Sequence, residues 1–125
     1  MDTPQKRPSP RRPNKAVADW TKEEAVSFIR QKTRDEGLGW VVFVNHAYQR
    51  MDERDYDMEE IYDTIVKGKA VHWEPGNFRF GDWRLTMEYA TRTTRSSTVV
   101  SVADDREHGM IITVLPKKTE YRSRS

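Results

Sequence analysis

A histidine and two arginines recur at four-residue spacing in the middle of the chain, at His46, Arg50 and Arg54. Residues four apart share one face of an α-helix, so a helix here would align the three side chains. An imidazole can exchange a proton near neutral pH, and an arginine can hold a phosphate group. The spacing therefore fits acid–base chemistry on a phosphodiester. It fits a structural helix start equally well, in which the arginines pair with nearby acids.

A second polar set is predicted on one face of a β-sheet. Residues 83–89 alternate apolar and polar side chains, which is typical of a half-buried strand. If the apolar positions of this and the neighbouring strands face the helices, the opposite face carries His72, Glu74, Arg84, Thr86, Glu88, Ser101 and Thr113. A base, a phosphate-binding cation and hydroxyls are sufficient for RNA cleavage through the 2′-hydroxyl. Same-face ion pairing of Arg84 with Glu88 is the structural alternative.

An acidic segment follows the first histidine. Seven of the twelve residues from Asp52 to Asp63 are Asp or Glu. An acidic helical face can imitate a phosphate array and occupy a basic protein surface. The members that would do so are Asp52, Glu59, Glu60 and Asp63. An ordinary solvated helix with acids near its N-terminus explains the same residues.

Capping patterns define the helices that carry these residues. Thr21 with Glu24 opens a helix that runs to about Glu36, and Asp57 with Glu60 opens another that ends at Gly68. A short helix over 46–54, capped by Asn45, is predicted between them. The apolar run 40–44 suits either a buried strand or an extended lead into that short helix.

From Lys69 onward the pattern has period two. Strands are predicted over 69–74, 83–89, 99–103 and 110–115, with a polar connection over 91–98. Helices followed by an antiparallel meander indicate an α+β fold. The expected architecture is N-terminal helices packed on one face of a roughly four-stranded antiparallel sheet.

Composition excludes several kinds of site. The chain has 125 residues and no cysteine, so one domain is expected, without disulfides or thiolate sites. No Walker loop, HExxH or GxSxG motif occurs, and no metal or cofactor is expected. No apolar run is long enough to span a bilayer and no Sec signal is present, so a cytoplasmic protein without membrane contact is predicted.

The positive charge is concentrated at the two ends. The net charge of +2 comprises +4 in residues 1–15 and +3 in residues 117–125, which leaves −5 between them. Four of the six prolines lie in the first fifteen residues. We therefore predict a disordered basic arm over 1–18, one α+β domain over 19–116 and a basic tail over 117–125. The basic ends could contact nucleic acid non-specifically.

Short motifs resemble those of a small bacterial family of unknown function. That family opens with a His-Ala…Arg-Met…Arg helix and closes with a strand that ends in Thr-Val. The matching residues here are His46-Ala47, Arg50-Met51, Arg54, Ile61, Gly68 and Ile112-Thr113-Val114. The resemblance covers about residues 42–116.

The family is in turn similar to the barnase–EndoU–colicin–RelE (BECR) group of metal-independent ribonuclease toxins, which place two helices before a four-stranded antiparallel sheet. This resemblance implies that His46 exchanges the proton, that Arg50 or Arg84 holds the phosphate and that Thr113 lines the cleft. It implies RNA and a cognate antitoxin as partners. Further substrate contacts are assigned to Arg54, His72 and Glu88.

Two hypotheses follow. The first is a metal-independent endoribonuclease of the toxin type, acting by acid–base catalysis. The second is a non-enzymatic inhibitor or adaptor, of the kind carried by phages and other mobile elements, that offers the acidic face of residues 52–63 to a basic protein.

Overall fold

Three α-helices pack on one face of a β-sheet in the computed structural model, which describes residues 15–119. Within this range the elements are α1 (Lys22–Glu36), β1 (Val41–Phe43), α2 (Ala47–Glu53), α3 (Met58–Lys67), β2 (Lys69–Pro75), β3 (Trp83–Ala90), β4 (Thr94–Val102), β5 (Gly109–Val114) and β6 (Lys118–Thr119). Short 3-10 turns occupy Val17–Asp19 and Gly37–Trp40. The predicted α+β fold is confirmed.

Both predicted capping boxes are present. The Thr21 hydroxyl accepts from the Glu24 amide at 3.1 Å, and the Glu24 carboxylate accepts from the Thr21 amide at 2.8 Å. Asp57 and Glu60 make the same reciprocal pair at 2.8 and 3.0 Å. These bonds use local backbone donors that the first turn of a helix leaves unpaired, which is why the sequence alone predicts the starts of α1 and α3.

The start of α2 differs by one residue from the prediction. His46, not Asn45, is the N-cap, and its side chain makes no capping bond. Its φ of 71° lies in the left-handed region, where histidine is commoner than most non-glycine residues. A left-handed residue here turns the chain from β1 into α2.

The sheet is larger than predicted and is mixed. Its strand order is β1-β5-β4-β3-β2, with β6 paired to β4. Most pairs are antiparallel, but β1 runs parallel to β5, with Val42 beside Met110. The apolar run 40–44 thus contains a true strand. Parallel pairing between segments so far apart in sequence leaves no local signal. With β1 and β6 added, the expected four strands become six within residues 15–119.

The segment predicted as a polar connection belongs mostly to β4. Ser96, Ser97 and Thr98 are buried between neighbouring strands, although their side chains are polar. The prediction was wrong because it weighed polarity alone. Pairing with β3 on one side and with β5 and β6 on the other satisfies the backbone of this strand.

Register shifts change two apolar positions. One lies in the β4–β5 pairing, where Val99 pairs with Thr113 and Val100 with Ile111, so that Ile112 is the extra residue and Ile111 enters the core shared with the helices. The other lies in β2 between Ala70 and His72, where Val71 is 45% exposed. An extra residue in one strand reverses the side-chain alternation beyond it.

Aromatic residues fill the end of the core beneath α1. Trp83 is fully buried, with the Trp20 and Trp73 rings 6.2 and 4.9 Å from it, measured between centroids. Its indole nitrogen donates to the Val17 carbonyl at 2.8 Å. Val17 is 2% exposed, so the fold extends into the predicted 1–18 arm. Residues 1–14 and 120–125, which hold most of the predicted basic ends, lie outside the described residues.

Candidate functional site

The face of the sheet opposite the helices, here called the outer face, carries the polar set predicted from alternation. On β3, Leu85 and Met87 are fully buried in the core. Successive strand residues point to opposite faces, so Arg84, Thr86 and Glu88 belong to the outer face. The strand pairings carry this assignment across β2, β4 and β5.

Strand register brings a histidine, a glutamate and an arginine together on this face. His72 pairs with Thr86, and Glu74 pairs with Arg84. Directly opposed residues have Cβ atoms about 5 Å apart. The His72 Nε2 and Glu74 Oε1 atoms are 3.8 Å apart, and these side chains are 63% and 52% exposed. We call His72, Glu74 and Arg84 the outer-face cluster. It combines a proton-exchanging group with a carboxylate that can orient it and a cation.

Arg84 is held by an aromatic ring. Its guanidinium carbon lies 4.4 Å from the centre of the Phe78 ring, within the range of a cation–π contact. Its Nε atom is buried and has no hydrogen-bond partner. The sequence-based alternative of an Arg84–Glu88 ion pair is not what forms, because Glu88 lies 3.6 Å from Arg95. The ring fixes the guanidinium without neutralising its charge.

Thr113 lies on the outer face, but toward the other edge of the sheet. It stands opposite Val99, and its hydroxyl donates to the Val114 carbonyl at 3.3 Å. Two strands, β3 and β4, separate it from His72 on β2. Thr113 therefore shares a face with the outer-face cluster and does not contact it.

His46 lies on the helix side of the sheet. The α2 helix that it opens buries Ala47 and Met51, and Met51 belongs to the core. The His46 Nδ1 atom is 3.2 Å from Gln49 Oε1, and the pair is exposed. His46 and Arg50 are thus on one side of the sheet, and Arg84 and Thr113 on the other. The four residues predicted as catalytic do not form one site.

We call His46, Arg50 and Arg54 the α2 row. Its two arginines have partners within the chain. Arg50 Nη1 donates to Glu53 Oε1 at 2.9 Å. Hydrogen bonds from Gln49 and Arg50 hold the pKa of the Glu53 carboxyl below its usual value. Arg54 Nη1 donates to the Val114 carbonyl at 2.7 Å and so ties the end of α2 to β5. Both guanidinium groups already bind oxygens that a phosphate would have to replace.

Tyr56, just after α2, completes a rung of the β4–β5 ladder. Leu115 N–H donates to the Ser97 carbonyl at 3.0 Å, as expected for an antiparallel pair. The return bond runs through the Tyr56 hydroxyl, which accepts from Ser97 N–H and donates to the Leu115 carbonyl, both at 2.8 Å. Burial raises the pKa of this hydroxyl. No local pattern indicates this role of Tyr56, because it depends on contacts 41 and 59 residues away.

Two of the four acids proposed to meet a basic partner are engaged inside the chain. The Glu60 carboxylate closes the α3 capping box and lies 2.7 Å from Lys117 Nζ. Asp63 lies 3.4 Å from Lys67. Asp52 and Glu59 are exposed. The acidic binding face stays a prediction with fewer free carboxylates than the sequence suggested.

Metal-ligand clusters and membrane-spanning helices are both absent from the described residues. Across residues 15–119, no three or more His, Asp or Glu side chains lie close enough together to hold a metal ion. None of the helices in this part of the chain combines the length and apolar character needed to span a bilayer.

The loop between β2 and β3 was not among the predicted functional segments. It places Phe78 and Phe80 at half-buried positions outside the core, beside Arg79 and Arg84. The signal that could have found it is local: an aromatic–arginine–aromatic run following Pro75-Gly76-Asn77. The two rings thus lie at the surface of the domain, each in contact with a guanidinium group.

Residues 43–116 match the family model of a domain of unknown function (DUF4258). The match starts at the end of β1 and covers α2, α3 and strands β2 to β5, so it includes both the α2 row and the outer face. Neither the curated proteins nor the solved structures give a match. No comparison connects the chain to the BECR ribonucleases. Because the matched region is more than half of the sequence, this chain belongs to the DUF4258 family.

Proposed function

We propose that this domain is a metal-independent endoribonuclease whose reaction takes place on the outer face of the sheet. The observation that carries the proposal is the register of β2 and β3, which sets His72 and Glu74 beside Thr86 and Arg84. An imidazole, a carboxylate and a guanidinium then meet beside the edge strand β2, where the exposed His72 and Glu74 side chains can be reached by an extended RNA strand.

Each member of the outer-face cluster has a role in such a reaction. The His72 imidazole takes the proton of a ribose 2′-hydroxyl, while Glu74, 3.8 Å away, orients the ring and stabilises its charged form. The 2′-oxygen attacks phosphorus, and Arg84 stabilises the charge that develops on the phosphoryl oxygens. The bond to the 5′-oxygen breaks, and water protonates that oxygen, since the His72 and Glu74 side chains are exposed to solvent. The products are a 2′,3′-cyclic phosphate and a 5′-hydroxyl.

His72 is preferred to His46 as the base because of what surrounds each ring. Near His46 the two cations are paired with Glu53 and with the Val114 carbonyl. Near His72 the cation is Arg84, which is held by a ring and not by a carboxylate. A phosphate therefore displaces no ion pair of Arg84.

The test is cleavage of single-stranded RNA by the purified domain in EDTA. Cleavage is expected, with cyclic phosphate ends, and the same sequence as DNA should stay intact because it lacks the 2′-hydroxyl. His72→Ala purified in the same way is the control, since a contaminating nuclease would cleave equally in both preparations. Intact RNA with the wild-type protein would rule the proposal out.

A further inference from the structure

The loop of residues 76–82 between β2 and β3 carries an arginine, Arg79, between two aromatic residues, Phe78 and Phe80. Phe78 and Phe80 lie outside the core and are half-buried. The Arg79 guanidinium carbon is 5.2 Å from the centre of the Phe80 ring, and that of Arg84 is 4.4 Å from the Phe78 ring. Interleaved aromatic rings and arginines are what proteins use to stack the bases and hold the phosphates of single-stranded nucleic acid.

Backbone contacts hold this loop in one shape. Gly76 N–H donates to the Asp82 carbonyl at 3.0 Å, and Phe78 N–H donates to the Gly81 carbonyl at 3.2 Å. Gly81 has a φ of +94°, and a Cβ atom there would come within 2.2 Å of the Ser101 hydroxyl on the outer face. The glycine lets the loop lie directly on β4. A binding surface built this way is formed before the ligand arrives, which lowers the entropic cost of binding.

A groove of about 330 Å³ opens between this loop and the sheet. Its polar lining includes Arg79 and two carboxylates, Asp82 and Asp104, and its apolar lining includes Phe78, Phe80 and Met110. Aromatic faces accept any base by stacking, whereas a carboxylate accepts hydrogen bonds from exocyclic amino groups. The lining therefore suits an unpaired base more closely than it suits a phosphate.

The groove and the outer-face cluster are adjacent. Arg84 belongs to the cluster and also packs on Phe78. On β3, Arg84 is two residues from Thr86, the position that faces His72. Two residues of a strand span about 7 Å. A base in the groove thus lies beside the phosphodiester that the cluster would hold.

We propose that the groove binds one base of a single-stranded RNA next to the scissile phosphodiester. Phe78 and Phe80 supply the stacking surface, Arg79 meets the adjoining phosphate, and Asp104 accepts a hydrogen bond from an exocyclic amino group. This inference rests on the proposed function for its substrate class, and its test measures binding separately from cleavage.

Binding is measured by fluorescence anisotropy with short labelled 2′-O-methyl oligonucleotides, which cannot be cleaved because the 2′-hydroxyl is blocked. Phe78→Ala and Phe80→Ala should each weaken binding about tenfold, the effect of losing one stacked base. Phe78→Tyr and Phe80→Tyr keep a ring and should bind nearly as well as the wild type. The matched control is Tyr48→Ala, which removes an aromatic ring that is 60% exposed on the α2 side.

The preference for one base over another tests whether the Asp104 carboxylate accepts a hydrogen bond from the bound base. Cytosine and uracil differ in that only cytosine carries the N4 amino group, so the wild type should bind oligo(C) about tenfold more tightly than oligo(U). In Asp104→Asn this ratio should fall towards one, because the neutral amide is a weaker acceptor. Asp104 is exposed, so the substitution leaves the core untouched.

The outcomes separate this inference from the proposed function. Binding that depends on Phe78 and Phe80, without any RNA cleavage, would support base binding in the groove and rule out the endoribonuclease function. If the protein cleaves RNA and both alanine variants bind the oligonucleotides as the wild type does, the endoribonuclease function is supported and base binding in the groove is ruled out. Absence of oligonucleotide binding by the wild type overturns the inference in either case, and a protein ligand for the loop would then be the alternative.

Discussion

The α2 row and the outer face of the sheet carry the same kinds of side chain and use them differently. Along α2 and its two caps, His46, Arg50 and Arg54 recur every four residues, but the arginines bind Glu53 and the Val114 carbonyl. On the outer face, His72 and Arg84 are twelve residues apart in the sequence and become neighbours through strand pairing. Spacing within one segment therefore identified residues that bind other parts of the fold, and Arg54 ties the end of α2 to β5.

The partners of a charged residue therefore decide what it can do. A guanidinium that holds a backbone carbonyl, as Arg54 does, contributes to stability and is not available to a ligand. A guanidinium packed on a ring, as Arg84 is, keeps its charge available. On this account, changes in the segment 46–56 should alter the free energy of unfolding, and changes on the outer face should alter chemistry.

The largest expected effect on stability is at Tyr56. Tyr56→Phe removes the hydroxyl that bridges Ser97 and Leu115 and leaves a buried N–H and a carbonyl without partners. We expect the free energy of unfolding to fall by about 1–3 kcal/mol. Urea unfolding of the two proteins measures it. RNA cleavage at a temperature where both are folded should be unchanged, and a lost activity in folded Tyr56→Phe would contradict the division between the two regions.

The same hydroxyl gives a pH dependence. Because burial raises its pKa, the folded state favours the protonated form. The contribution of Tyr56 to stability is therefore complete below about pH 10, the pKa of an unfolded tyrosine, and is lost as the pH rises through the folded pKa. The stability difference between wild type and Tyr56→Phe should shrink above pH 10 in urea titrations. A constant difference up to pH 11 or so would show that the hydroxyl does not titrate as described.

A smaller effect is expected at His46. His46→Gly replaces a residue with a φ of 71° by the one that adopts this conformation without steric cost. The relief is partly offset by the greater chain entropy of unfolded glycine, so the expected gain in stability is at most about 1 kcal/mol. Thermal and urea unfolding measure it, with Gln49→Ala as the control for the lost side-chain contact. A clear loss of stability would mean that the imidazole holds the fold.

Structural features that depend on residues close together in the sequence were predictable, and features that depend on distant residues were not. The starts of α1 and α3 were predicted because Thr21 and Asp57 bond within their own first turn. The outer-face residues of β2 and β3 were predicted because alternation is also local. The parallel pairing of β1 with β5 and the burial of Ser96 were missed, since both depend on strands far along the chain.

The candidate site divides in the same way. Residue types with useful chemistry were identifiable, and His72, Glu74 and Arg84 were all placed on one face in advance. Which histidine has a free cation beside it was not predictable. That depends on Arg54 reaching a carbonyl sixty residues away and on Arg84 packing against Phe78.

The most direct test of the central claim compares two single variants, His72→Ala and His46→Ala. Initial rates of RNA cleavage are measured for both in EDTA, after circular dichroism has shown that each is folded. The account predicts a fall of about 100-fold or more for His72→Ala, the usual effect of losing a general base, and a rate within about twofold of the wild type for His46→Ala. A large fall with His46→Ala and full activity with His72→Ala would contradict it and would move the reaction to the α2 side of the sheet.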